Sequence, residues 1–131
     1  MSASPVVIDR LDHMVLTVAD IDATCAFYDR VLGIEKVVFG GGRVALAFGD
    51  QKINLHPAGN LYDPHADQPI PGSGDICLIA ATPLAQVIAH LNDCGVEIID
   101  GPVARTGAKG ALTSVYFRDP DGNLVEVSNY D

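Results

Sequence analysis

The segment VLGIEKV at residues 31–37 returns as DCGVEII at residues 93–99, at an offset of 62 that carries Gly33 onto Gly95 and Glu35 onto Glu97. An internal repeat constrains the fold more than any other feature of this chain. Half of a 131-residue chain is too small to bury a sheet by itself, so two copies must share one core.

Local signals give each copy the order β-α-β-β-β. In the first, Leu11–Val18 alternates as a strand, with Met14, Leu16 and Val18 on one face and His13, Val15 and Thr17 on the other. Asp20 is an N-cap for a helix running to Leu32, whose apolar residues Ile21, Cys25, Tyr28 and Leu32 recur at helical spacing. Gly33 stops it, and strands follow at 34–39, 43–48 and 53–56. In the second copy, 76–80 is a strand, Thr82 an N-cap and Pro83 the first helical residue. Gly95 ends that helix, and strands follow at 96–99, 112–118 and 123–129. GPVARTGAKGA at 101–111 reads as a Gly-rich hairpin or loop without a phosphate-binding pattern.

The expected fold is α+β: two tandem βαβββ modules forming a curved mixed-sheet cup with helices on its convex face. One domain, 9–130, divides into module 9–58, a Pro-rich linker 59–73 and module 74–130.

The repeat register also places the charges. The offset of 62 carries His13 onto Asp75. LAFGD at 46–50 matches VYFRD at 115–119, and one extra turn residue gives an offset of 70 that carries His56 onto Glu126. Strand alternation puts all four on the face opposite the helices. An unpaired buried carboxylate costs several kcal/mol, so Glu126 among apolar neighbours asks for a solvent-facing position or a cation. Imidazoles and carboxylates converging on one face make a divalent metal site, with Zn²⁺, Ni²⁺, Mn²⁺ or Fe²⁺ as the ion. For Asp75 a turn-forming role beside Gly74 is the competing reading. Tyr116 shares that face with Ser114 and Arg118, as a pocket-lining residue or proton donor, with core packing the alternative. Arg43 and Arg105 are candidates to hold a substrate anion, Lys52 and Lys109 weaker ones, and solvated surface charge is the alternative for each. His65 and His90 read as solvated or packed.

Net charge excludes other classes. At −9 the chain lacks the basic surface that nucleic acids or anionic membranes require. No apolar run reaches the roughly 18 residues of a membrane span, and no signal peptide is visible at the start. Cys25, Cys77 and Cys94, without CxxC spacing, read as packed, reduced thiols, which points to the cytoplasm.

LDHMVLTVADIDATCAFYDRVLG and SVYFRDPDGNLVEVSNY resemble the vicinal oxygen chelate superfamily of glyoxalases, bleomycin-resistance proteins and extradiol dioxygenases, with small glyoxalase domain-containing proteins the nearest likeness. The resemblance spans 11–130. It implies paired modules forming a cup, often in a homodimer, and a divalent metal at the His13, His56, Asp75 and Glu126 positions that a substrate chelates through neighbouring oxygens. Glyoxalase I presents His, Glu, His, Glu in chain order; here the order is His, His, Asp, Glu. The expected activity is that of a metal-dependent lyase or isomerase on a small oxygen-rich molecule, with Glu126 or a metal-bound water as the base. An Fe²⁺ extradiol-type dioxygenase and a bleomycin-resistance-like sequestering protein are the alternatives. A cup open at its sheet edges also calls for a second copy of the chain.

Overall fold

Helix α1 (Ile21–Leu32) shows how short-range signals build the first module. Asp20 is extended, and its side chain accepts from the Ala23 amide at 3.0 Å. Gly33, at φ 64°, closes the helix by donating to the Asp29 carbonyl, a left-handed conformation that a side chain would strain. The helix buries Thr24, Cys25, Tyr28 and Val31. Around it lie β1 (His13–Val18), β2 (Glu35–Phe39), β3 (Arg43–Phe48) and β4 (Gln51–Pro57). The second module holds β5 (Asp75–Ile79), α2 (Leu84–Asp93), β6 (Asp100–Gly107), β7 (Gly110–Arg118) and β8 (Leu124–Tyr130). The structure, a computed structural model, describes residues 3–131.

The curved sheet is delivered as two four-stranded mixed sheets, ordered β1-β4-β3-β2 and β5-β8-β7-β6. In each, the first and last strands of the module run parallel and the other pairs antiparallel. One hydrophobic core serves both, drawing Leu16, Tyr28, Leu46, Ile53 and Leu55 from the first module and Ile76, Val115, Phe117, Val125 and Val127 from the second. Burying each of these side chains contributes about 1.5–3 kcal/mol. The modules are also tied by polar contacts. Tyr28 donates to Asp119 Oδ2 at 2.8 Å, the Ala19 amide donates to Asp121 Oδ1 at 3.0 Å, and the Phe27 and Phe117 rings lie 6.3 Å apart. Among the described residues no helix is long and apolar enough to cross a membrane.

Two elements differ from the sequence reading. Residues 96–99 form no strand; Val96 and Ile98 pack on the core as extended chain, and pairing begins at Asp100. Gly101, at φ 99°, and Pro102 sit there, with a register shift between Asp100 and Val103. A strand at the sheet's edge tolerates that proline because its missing N–H costs no ladder bond. Helix α2 is not capped by Thr82. Pro83 occupies the N-cap position without a side-chain bond. Asn129 of β8 supplies the cap instead, accepting from the Leu84 amide at 2.7 Å and donating to the Ala80 and Thr82 carbonyls.

The pairing also corrects the module register. His13 pairs with Lys52 at the first rung of one parallel ladder, and Asp75 with Leu124 at the first rung of the other. Two residues further along the last strand stand Asn54 and Glu126. The equivalent of Glu126 is therefore Asn54, and His56 corresponds to Ser128. The slip is two residues, so it preserves the face and changes the position along it.

Candidate functional site

On each sheet, one face packs on the core and the other carries polar side chains. The outer face of the first sheet presents His13, Arg43, Lys52, Asn54 and His56; that of the second presents Asp75, Cys77, Ser114, Tyr116, Glu126 and Ser128.

Glu126 is half-buried on the second face. Its Oε2 accepts from Ser114 Oγ at 2.6 Å and from Ser128 Oγ at 3.4 Å, and both serines are fully buried. The two hydroxyls lie 2.6 Å apart, and the Cys77 thiol reaches Ser128 Oγ at 3.4 Å. These donors hold the carboxylate in one orientation. Cys77 is an exposed residue rather than a packed one, yet partial burial of its thiol raises its pKa; the Ser128 hydrogen bond opposes that, and the Glu126 charge adds to it. Tyr116 is the rung partner of Glu126, and its oxygen accepts from Arg105 Nε at 3.0 Å. Burial raises the Tyr116 pKa; Arg105 opposes that and the Glu126 carboxylate adds to it. Tyr116 therefore keeps its proton, and with its oxygen already accepting from Arg105 that proton is the one it has to give. Arg105 also pairs with Asp100 at 3.3 Å. Asp75, Glu126, Tyr116 and Arg105 line one open cleft, together with Arg118.

On the first face, His13 is exposed at the start of β1, and its Nδ1 lies 2.8 Å from Asp12 Oδ1. That hydrogen bond is the main reason the Asp12 carboxyl lies below its usual pKa. A proton on Nδ1 leaves the Nε2 lone pair free, the orientation that metal-binding imidazoles adopt beside a carboxylate. Asn54 is buried, and its Oδ1 is an acceptor without a partner. His56 stands apart from both. Its Nε2 lies 3.2 Å from Arg43 Nη2, and a guanidinium only donates, so Nε2 accepts and the proton sits on Nδ1. That Nδ1 is buried without a partner. Burial, then Arg43, then His65 hold His56 below the usual histidine pKa, so it stays neutral. The linker places Tyr62 edge-on to the His56 ring at 5.2 Å.

The structure thus gathers Asp75, Glu126, Tyr116 and Arg105, couples His56 to Arg43, and leaves His13 on the other sheet with Asn54. Among the described residues no group of three or more His, Cys, Asp or Glu side chains is arranged to hold a metal ion. The donors are divided between the outer faces of two sheets. The chemistry of the two halves nonetheless suits a divalent ion. An imidazole with a free Nε2 and an unpartnered amide oxygen face one way, two carboxylates the other, and nitrogen and oxygen ligands are those of Zn²⁺, Mn²⁺, Ni²⁺ and Fe²⁺. Residue patterns alone did not single out Asn54, because asparagine has many surface roles; its signal is the ladder register and the orphaned oxygen. Ser114 and Ser128 were legible only as face-sharing residues.

Comparison with known proteins agrees with this architecture. A family model described as the Glyoxalase/Bleomycin resistance protein/Dioxygenase superfamily matches residues 10–127. The virulence protein STM3117 of Salmonella typhimurium is 52% identical, covering 95% of this chain and 86% of that protein. Its crystal structure superimposes with a TM-score of 0.94 at 51% identity, covering 96% of this chain and all of that one. The glyoxalase domain-containing protein RDO1 of Mycosarcoma maydis is 50% identical over 92% of this chain and 68% of its own. A lactoylglutathione lyase structure from Agrobacterium tumefaciens is more distant, at 26% identity and a TM-score of 0.70, covering 93% of this chain and 94% of that one.

Proposed function

The chain belongs to the Glyoxalase/Bleomycin resistance protein/Dioxygenase superfamily, and from that premise we propose that it is a metal-dependent lyase or isomerase acting on a small oxygen-rich substrate, working as a homodimer whose sites are shared between chains. His13 and Asn54 of one protomer would hold the ion with Asp75 and Glu126 of its partner. The observation that carries this reading is the matched pair of diagonals. Each module presents two donors at the same two ladder positions, His13 with Asn54 and Asp75 with Glu126, and no single chain brings the two pairs into one cluster.

His56, expected beside them, is better assigned to orienting Arg43, because its Nε2 is already engaged. The exposed apolar residues Val15 and Ile79 on these faces, 43% and 53% accessible, support a covering second copy. So do β1 and β5, each with an unpaired edge.

A divalent cation held there supplies Lewis-acid polarisation of a substrate oxygen. The rest is the work of this chain's own residues. Ser114 and Ser128 engage Glu126 Oε2, so Oε1 is the atom that would meet the ion and, once released toward the substrate, take a proton from a carbon next to a carbonyl. Returning that proton to the neighbouring atom completes an isomerisation. Departure of a leaving group instead completes a lyase reaction. Tyr116, protonated and held by Arg105, is placed to hydrogen-bond the oxygen on which charge develops. The relative named lactoylglutathione lyase supports the reaction class.

Metal analysis of the protein purified without supplement, with turnover assays on hemithioacetals and on catechols under air, tests the proposal. Turnover of a hemithioacetal or related hydroxycarbonyl, without oxygen uptake and abolished by chelator, is the expected result. Iron with oxygen uptake on a catechol would replace it with a ring-cleaving dioxygenase. Failure to bind any divalent metal would leave a binding protein.

A further inference from the structure

The outer face of the first sheet carries two cations that form no ion pair, although Asp12 lies near enough to Lys52 for the lysine's charge to help lower the Asp12 pKa. Arg43 is stacked between two rings, its guanidinium carbon 4.5 Å from the Tyr62 centroid and 5.3 Å from that of Phe39. Lys52 Nζ lies 3.5 Å from the same Phe39 centroid. Among the described residues, neither has a carboxylate within ion-pair distance. In a chain with 17 acidic and only 8 basic residues, a basic group without an ion-pair partner is unexpected on numbers alone, and two lying against one aromatic ring more so. Arg105 on the other sheet shows the ordinary outcome, with Asp100 at 3.3 Å.

The local design keeps this pair of cations rigid and charged. Ring stacking fixes the guanidinium plane without consuming its N–H donors. His56 takes only one of those donors. The remaining donors point from an arginine that cannot lose its charge. Both cations lie against the Phe39 ring, and an anion reaching both would be paired twice. Lys52, Asn54 and His56 follow one another on the same face of β4, each step about 6.6 Å along the strand. The cations thus flank the Asn54 amide oxygen. The second module has no equivalent: Ser114 and Leu124 stand where Arg43 and Lys52 do.

We propose that Arg43 and Lys52 form an oxyanion clamp, and that the natural ligand is a small organic anion whose carboxylate, or phosphonate or phosphate, is held there. This rests on the metal-site reading only in placing the anion in the same cup. The clamp itself needs no metal.

The test is a titration of isotope-labelled protein, stripped with chelator, by malonate and by inorganic phosphate. Ionic strength is held constant with sodium chloride, and the backbone amide resonances of Asn54 and His56 are followed by NMR in every protein, with the Arg43 side-chain N–H as a further probe where Arg43 is present. The expected result is saturable binding of at least one probe, weakened about tenfold or more by Arg43→Met and by Lys52→Met, in line with a charge-assisted hydrogen bond. Lys52→Met leaves the Arg43–His56 contact intact, so its effect separates charge from packing. A malonate preference identifies a carboxylate ligand, a phosphate preference a phosphoryl one. No saturation, or equal affinity in wild type and both variants, would overturn the clamp. Because metal is absent throughout, a failed metal site leaves this result readable: the protein would then be a binder of organic anions rather than an enzyme.

Discussion

Replacing Tyr28 with phenylalanine deletes one oxygen from the junction between the modules. Tyr28 is fully buried and donates at 2.8 Å to Asp119 Oδ2, itself 6% exposed. The ring stays in place, edge-on to Phe27 with centroids 5.5 Å apart, so packing changes little. Asp119 keeps three other donors: the Asp121 and Asn123 amides on Oδ1, and Asn123 Nδ2 on Oδ2. The carboxylate is not orphaned. The loss should therefore fall at the low end of the range for a hydrogen bond to a charged group, about 1.5 kcal/mol. With an unfolding entropy of about 2.1 cal/mol/K per residue, that lowers the melting temperature by roughly 5 °C in a chain of this length. Urea unfolding at matched protomer concentration reads it directly. The hydroxyl also leaves a mark in alkali. Burial, then the Asp119 charge and hydrogen bond, raise the Tyr28 pKa far above the ordinary tyrosine value. Above about pH 10 the unfolded chain ionises this residue and the folded chain does not, so wild-type stability falls there, and that of the phenylalanine variant falls less. A loss below about 0.5 kcal/mol with identical alkaline slopes would refute the account of this junction.

Glu126→Gln should leave the metal-free protein at least as stable as wild type, because a half-buried charge is removed. With a divalent metal at a hundredfold excess over Kd it should lose most of a stabilisation of about 2.7 kcal/mol, and thermal melts with chelator and with metal would show the two effects crossing. His56 has a lowered pKa in the fold, so the unfolded chain takes up its proton first and stability should fall as pH drops from about 7 to 5.5. His56→Gln should flatten that slope in pH-dependent urea melts. Asn129→Ala removes the cap that β8 lends to α2 and should cost about 1–2 kcal/mol, with faster amide exchange at Leu84 as the specific readout.

Most elements of the first module were legible because their signals are local. Asp20 and Gly33 bracket α1, and the alternation of Met14, Leu16 and Val18 sets the face of β1. The second module was less so where distant residues decide the outcome. The cap of α2 comes from Asn129, 45 residues from Leu84, and no window around Thr82 contains it. The strand expected at 96–99 had the right alternation, but only the Ile99 amide reaches β7, donating to the Tyr116 carbonyl, before pairing begins at Asp100. Strand period explains the fate of the candidate site. A two-residue slip leaves side chains on the same face, so His13, His56, Asp75 and Glu126 all landed on outer faces as expected. The position along the strand depends on which hairpin residues are equated, and matching Phe48 to Phe117 with one extra turn residue gave an offset of 70, two short of the ladder's 72. That set His56, rather than Asn54, at the position equivalent to Glu126. The separation of the donors onto two faces was not legible at all, because it depends on how the modules pack rather than on either module's pattern.

Subunit complementation decides whether each metal site draws on two chains. His13→Ala and Glu126→Gln chains carrying different affinity tags are co-expressed, and the mixed dimer is isolated. In a two-fold symmetric dimer with shared sites, one site inherits both substitutions and the other neither. The account predicts that each parent homodimer binds almost no metal, while the mixed dimer recovers about half of the wild-type content, one intact site of two. A mixed dimer as empty as its parents would place His13 and Glu126 in the same chain's site, or in none, and would contradict the account.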